Sequence, residues 1–157
     1  MIIGAVKEKK KFENRVSISP DDVKNYVKAG HQVFIEKGAG SLSGFNDKSY
    51  KESGATLSTS KEVLKNSDII LKINCPTPDE SKLIKNNSMV ISQISIQNNQ
   101  DSIKILNSKK ISAFALELVP RITRAQDMDI LSSQANLAGY HAAVSYTHLT
   151  LPTTIEV

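Results

Sequence analysis

Short apolar runs alternate with helix-start signals along most of this chain, and that alternation leaves few folds open. Residues 2–6 (Ile-Ile-Gly-Ala-Val), 32–36, 68–73, 88–92 and 111–116 form five such runs. Several are apolar almost throughout, as in strands buried on both faces. Between them, Ser19-Pro20-Asp21-Asp22 offers an N-cap serine, a proline at the first helical position and acids at the positive end of the helix dipole. Gly30 fits the stop of that helix. Thr59-Ser60-Lys61-Glu62 is a capping box, with its helix expected to reach about Asn66. Thr77-Pro78-Asp79-Glu80 caps another. Residues 47–53, closed by Gly54, and residues 101–107 complete the helical set. Strands joined through helices imply right-handed crossovers. The predicted class is α/β: a Rossmann-like or flavodoxin-like parallel sheet of about five strands with flanking helices. The small and apolar residues between about Ala125 and Ala143 predict a long C-terminal helix.

Composition narrows the function classes. A chain of 157 residues can form one domain with a core. No run approaches the ~20 apolar residues of a membrane span. The first residues are apolar and the next basic, the reverse of a signal peptide. The single cysteine, Cys75, excludes an internal disulfide framework and suits a reducing compartment. It has no histidine near it in sequence to activate it, so it reads as an idle thiol. Lys plus Arg is 20 against 16 Asp plus Glu, a net +4. That bias is too weak, in a chain without tryptophan, to imply nucleic acid as a partner. Lys9-Lys10-Lys11 reads as a solvated loop, and no metal site is expected. Gly38-Ala39-Gly40 is only a GxG, with Ser43 at the sixth position, and reads as a flexible loop rather than a pyrophosphate cradle. Residues 144–153 continue neither helical nor strand logic, and they resemble the conceptual translation of a transposase-type sequencing adaptor. The expectation is a native part over residues 1–143 and a non-native tail over 144–157.

Two groups of residues carry a family resemblance. Lys7-Glu8, Asn14-Arg15-Val16, Ser19-Pro20, Gly30-His31-Gln32-Val33, Glu36-Lys37-Gly38-Ala39-Gly40, Ser43-Gly44-Phe45 and Gly54-Ala55 form the first. Together they resemble the N-terminal domain shared by alanine dehydrogenase and the NAD(H)-binding part of proton-translocating NAD(P) transhydrogenase. Residues 117–140 (Glu-Leu-Val-Pro-Arg-Ile-Thr-Arg-Ala-Gln-Asp-Met-Asp-Ile-Leu-Ser-Ser-Gln-Ala-Asn-Leu-Ala-Gly-Tyr) are similar to the transhydrogenase α-subunit signature. The resemblance implies that NAD(H) binds between this domain and a second, Rossmann-type NAD-binding domain of the same subunit, absent here. It implies NADP(H) on a partner domain, transmembrane partner subunits, a homodimer, and a place on the cytoplasmic side of the bacterial inner membrane.

The resemblance also assigns residues. Direct hydride transfer needs two rings held close and water excluded, rather than a nucleophile. Arg121, Gln126, Asp129 and Ser132 match the loop that contacts the nicotinamide end of NAD(H), with Gln126 and Asp129 assigned to the transfer step. Read without the family, Arg121 and Gln126 simply face water and Asp129 sits in a first helical turn, favoured by the dipole. Arg15 and Lys72 match positions that hold a keto acid in alanine dehydrogenase; ion pairing is the other reading. Alanine dehydrogenase also uses a histidine after the fourth strand, where this chain has Ser92-Gln93-Ile94-Ser95. Neither His31, His141 nor His148 matches it. Transhydrogenase is therefore the expected activity. Alanine dehydrogenase, or a non-catalytic interaction domain, is the alternative.

Overall fold

The computed structural model describes residues 1–149. The chain divides into two compact units, Met1–Leu116 and the part from Glu117 onward. The first unit holds the sheet: β1 (Ile2–Ala5), β2 (Gln32–Glu36), β3 (Thr56–Ser58), β4 (Ile69–Asn74), β5 (Met89–Gln93) and β6 (Ser112–Ala115). Between them run α1 (Pro20–Lys28), α2 (Asp47–Glu52), α3 (Ser60–Asn66), α4 (Pro78–Leu83) and α5 (Gln100–Ser108). All pairings are parallel and the strand order is β3-β2-β1-β4-β5-β6. This is the doubly wound arrangement, in which the chain winds outward in both directions from the β1/β4 boundary.

The start signals act as the sequence implied. Ser19, Thr59 and Thr77 each accept from the backbone N–H three residues on, and Asp22, Glu62 and Glu80 close the reciprocal half of each box. Apolar residues then divide between the two faces of the sheet. Val33 and Ile35 pack with Val23 of α1 and Tyr50 of α2. Ile70 and Val90 pack with Val63 and Leu64 of α3 and with Leu106 of α5. Gly4 permits close approach of α3: a Cβ there would lie 2.1 Å from Ser67 Oγ and 2.8 Å from Val63 Cγ1.

Four expectations are adjusted. The sheet has six strands: β3 carries one apolar residue, Leu57, and ends at the cap of α3, so it left no apolar run to read. The loop at Gly38-Ala39-Gly40 is a packed turn leading into a 3-10 turn (Ser41–Ser43). A Cβ on Gly40 would meet the Tyr50 ring at 2.7 Å, so that glycine serves packing rather than flexibility. In the second unit the long helix does not begin near Ala125. A 3-10 segment (Thr123–Met128) comes first, and α6 runs over Ile130–Leu149. The Asp129 carboxylate takes the N–H groups of Leu131 and Ser132 and thereby fixes the start. Helix also continues through residues 144–149, where no helical logic was expected. Elongation adds a hydrogen bond per residue, and no proline intervenes before Pro152. The rest of the expected tail, residues 150–157, lies outside the described residues. Among the described residues, no helix is long and apolar enough to cross a membrane.

Candidate functional site

In the second unit, the residues singled out from sequence converge. Arg121, Gln126, Asp129 and Ser132, with Ile122 and Thr123, line one recess of about 250 Å³. The 3-10 segment brings this about by folding Gln126 back toward the start of α6. Asp129 organises the floor. Its Oδ1 accepts from Leu131 N–H at 3.0 Å and Ser132 N–H at 3.1 Å, and its Oδ2 accepts from the Ser132 hydroxyl. Arg121 Nε stands 3.9 Å from the same Oδ2. These contacts, the Ser132 hydroxyl first, hold the Asp129 carboxyl below its ordinary value. Asp129 is thus already engaged by its own helix. Arg121 and Gln126 are exposed and project their donors and acceptors from the rim.

The recess can be tested against the nicotinamide end of a dinucleotide by its donor set. A guanidinium, a primary amide and the Thr123 hydroxyl supply donors for a carboxamide or a ribose, while Gln126, Asp129 and the Ser132 hydroxyl oxygen supply acceptors. They fit that end. No glycine cradle accompanies them, and about 250 Å³ is smaller than the usual 300–1,000 Å³ of a drug-sized ligand pocket. The residues present fit one end of NAD(H), not the whole cofactor.

In the first unit, Lys72 lies near the carboxyl end of β4 and Arg15 in the loop that follows β1, at the edge where doubly wound sheets place ligands. Lys72 is 4% exposed. Its Nζ is 3.1 Å from Glu80 Oε2 and 3.8 Å from Glu8 Oε2. Glu80 also meets Lys9 at 3.0 Å and closes the capping box of α4. Burial opposes the Glu80 charge, but Lys72, the Thr77 N–H and Lys9 outweigh it, so its carboxyl titrates below its ordinary value. Glu8 accepts from Ile73 N–H at 2.7 Å. Arg15 donates to Glu13 through Nε and a terminal nitrogen, both at 2.8 Å. That contact is the main reason Glu13 falls to about 2. Asn74 bridges the two groups, donating from Nδ2 to Glu8 and Glu13 at 3.3 Å. A bulge between Leu71 and Asn74 shifts the β4–β5 register beside Lys72. A cleft of about 280 Å³ opens here, lined by Glu8, Lys9, Lys10, Lys72, Cys75, Thr77 and Asn99.

Comparison with known proteins decides the family. The family described as "Alanine dehydrogenase/PNT, N-terminal domain" matches residues 4–138. The chain belongs to that family. It is 40% identical over 148 residues to the NAD(P) transhydrogenase subunit alpha of Haemophilus influenzae, covering 94% of this chain and 29% of that one. The crystal structure of a transhydrogenase from Sinorhizobium meliloti matches with a TM-score of 0.87 at 39% identity, over 92% of this chain and 43% of that chain. The alanine dehydrogenase of Methanococcus maripaludis is 37% identical over 140 residues, 88% of this chain and 37% of that one. This chain therefore spans less than half the length of each of these relatives.

For a domain of this family, the sequence reading missed the acidic half of the first-unit cluster. It assigned Arg15 and Lys72 to a site but not Glu8, Glu13 or Glu80, nor the Asn74 that bridges Glu8 and Glu13. Glu80 carried a signal, since a capping-box glutamate was already expected at that position. That it also serves as a buried counter-ion depends on α4 lying against β4, which no local pattern encodes. His31 stands in the turn before β2 and His141 lies within α6, so neither joins either cluster.

Proposed function

We propose that this chain is the N-terminal part of the NAD(H)-binding α subunit of a proton-translocating NAD(P) transhydrogenase. The complete enzyme passes hydride between NAD(H) and NADP(H) and couples this to proton movement. NADP(H) sits on a partner domain, and a second NAD-binding domain of the same subunit holds the rest of NAD(H). Transmembrane subunits carry the proton. The assembly is a homodimer in this part and lies on the cytoplasmic side of the bacterial inner membrane. The observation that carries the reading is the convergence of Arg121, Gln126, Asp129 and Ser132 on one recess.

NAD(H) supplies the hydride when bound. This chain's residues orient the nicotinamide end and keep its surroundings fixed. Arg121 donates to a carboxamide or ribose oxygen, its planar guanidinium limiting the poses available. Gln126 offers a donor and an acceptor on one rigid amide. Asp129 acts as a positioning residue: it fixes the first turn of α6, the Ser132 hydroxyl and the nearby Arg121. Orientation of this kind contributes through proximity, where displacements of ~1 Å cost about 10²-fold in rate.

An alanine dehydrogenase is the second reading, favoured by the Methanococcus relative. Residues 92–95, Ser-Gln-Ile-Ser, offer no imidazole for the proton transfers that imine chemistry requires. Alanine-dependent reduction of NAD by the complete protein would overturn the transhydrogenase reading. For this chain the test is a fluorescence titration with NADH. Saturable binding that Arg121→Ala abolishes supports the recess as a self-sufficient part of the site. Binding that Arg121→Ala leaves unchanged, or no binding, removes the recess as an independent NAD(H) site.

A further inference from the structure

The loop from β1 to α1 turns its acids inward and leaves its lysines exposed, with Lys9 paired to Glu80 and Lys10 on the rim of the cleft described above. Both of its acids turn inward: Glu8 onto Ile73 N–H and Lys72, Glu13 onto Arg15 and Asn74. The ammonium groups of Lys7, Lys10 and Lys11 have no carboxylate partner among the described residues, although Lys10 reaches the Asn74 amide oxygen at 3.4 Å. At the tip stands Phe12, 87% exposed, with Lys11 Nζ 4.9 Å from its ring centre. Glu13 N–H donates to Lys10 C=O at 3.0 Å and closes a tight turn. Phe12 is the third residue of that turn and has φ +67°. Such a position favours glycine or asparagine, and a bulky side chain there is strained. The fold therefore holds a large apolar ring in water, in an unfavourable backbone state, among unpaired cations. Strained residues persist where the surroundings over-determine them, often at sites of interaction.

We infer that this turn is a peripheral anchor for an anionic lipid surface, with Phe12 entering the interfacial layer and Lys7, Lys10 and Lys11 meeting the headgroups. The shape selects a bilayer over an acidic protein. The turn is convex, and neither Lys11 nor Phe12 lines any of the recesses at the sites described above. A deformable layer accepts a protruding ring without a preformed socket. Lysine ammoniums are compact, mobile point charges, suited to a fluid array of headgroups, where fixed carboxylates would favour the guanidinium fork. Aromatic and basic side chains together are the usual composition of segments that lie in the interface. The inference does not rest on the proposed enzymatic role.

The test is co-sedimentation of the complete 157-residue chain with vesicles of 30% phosphatidylglycerol in phosphatidylcholine, and with pure phosphatidylcholine. Binding to the anionic vesicles alone is expected, and it should be lost in 0.5 M salt. Each lysine contributes about fivefold near such a surface, so Lys10→Gln with Lys11→Gln should weaken binding ~25-fold. Phe12→Gly separates anchoring from folding. It relieves the positive-φ strain and should raise the melting temperature while weakening vesicle binding at least tenfold. Absence of binding to anionic vesicles overturns the proposal. So does binding that Phe12→Gly leaves unchanged. Equal or tighter binding to soluble poly-glutamate, insensitive to Phe12→Gly, also overturns it and points to an acidic macromolecule instead.

Discussion

Replacing Lys72 by methionine tests how the first-unit cluster is held together. Lys72 is the shared cation of Glu80 at 3.1 Å and Glu8 at 3.8 Å, and all three side chains are at most 2% exposed. Without it, two buried carboxylates face one half-exposed ammonium, that of Lys9. Removing one member of a buried pair while its partner stays charged costs about 3–5 kcal/mol. The melting temperature should then fall by roughly 10 °C, at ~2–4 °C per kcal/mol for a chain of this size. The pH dependence is more diagnostic. In the parent, Glu80 titrates below its unfolded value. Its contribution is present above the unfolded carboxylate pKa and is lost as pH falls through the folded value. In the variant, burial without Lys72 pushes Glu80 upward, so its protonation relieves the defect in acid. The stability difference should be large at pH 7.5 and shrink toward pH 4.5. Urea unfolding followed by circular dichroism at both pH values measures it. Lys24→Met, which breaks an exposed pair with Asp21, is the control and should cost under ~0.5 kcal/mol. A Lys72→Met difference below about 1 kcal/mol, or one independent of pH, would refute the reasoning.

Gly4→Ala should destabilise by about 1–3 kcal/mol through overpacking against Ser67 and Val63, and Ser67→Gly should restore part of it in thermal melts. Tyr50→Phe removes the 2.7 Å hydrogen bond to Ile18 C=O and should cost about 1–3 kcal/mol by urea unfolding. In the parent, absorbance at 295 nm should show Tyr50 ionising at about 12, raised chiefly by burial. That stability is complete below pH 10 and is lost as pH rises through about 12. Asp129→Ala should expose the first amides of α6 to hydrogen exchange while leaving those of the sheet protected. On the proposed function, Gln126→Asn in the complete protein should slow hydride transfer far more than it weakens NADH binding. Equal losses would show that Gln126 does not position the ring.

Much of the sheet was legible because its causes are local. The boxes at Ser19, Thr59 and Thr77 announce α1, α3 and α4, and the apolar runs announce five strands. Edge strand β3 left little trace because one face of three residues needs only Leu57. The start of α6 was misplaced for a related reason. Ala125 and Met128 suit a helix, but the Asp129 side chain takes the amides that define where it begins. The recess in the second unit was legible only through family resemblance. Read alone, Arg121 and Gln126 look like solvated polar residues.

Arg15 and Lys72 mark where residue type underdetermines role. A basic residue at the carboxyl end of a parallel strand can receive a ligand's anion or the protein's own. Here each already meets a carboxylate of this chain, Glu13 for Arg15 and Glu80 for Lys72. An incoming anion would have to displace these, and for Lys72 that means separating a buried pair and opening the capping box of α4. The cleft beside them retains Lys9 and Lys10 on its lining, and these are far more accessible. Any anion that enters it should therefore depend on Lys9 and Lys10 more than on Lys72. Ion pairing is the role the geometry supports for Lys72, and its two carboxylates bind the β1 loop, β4 and α4 into one unit.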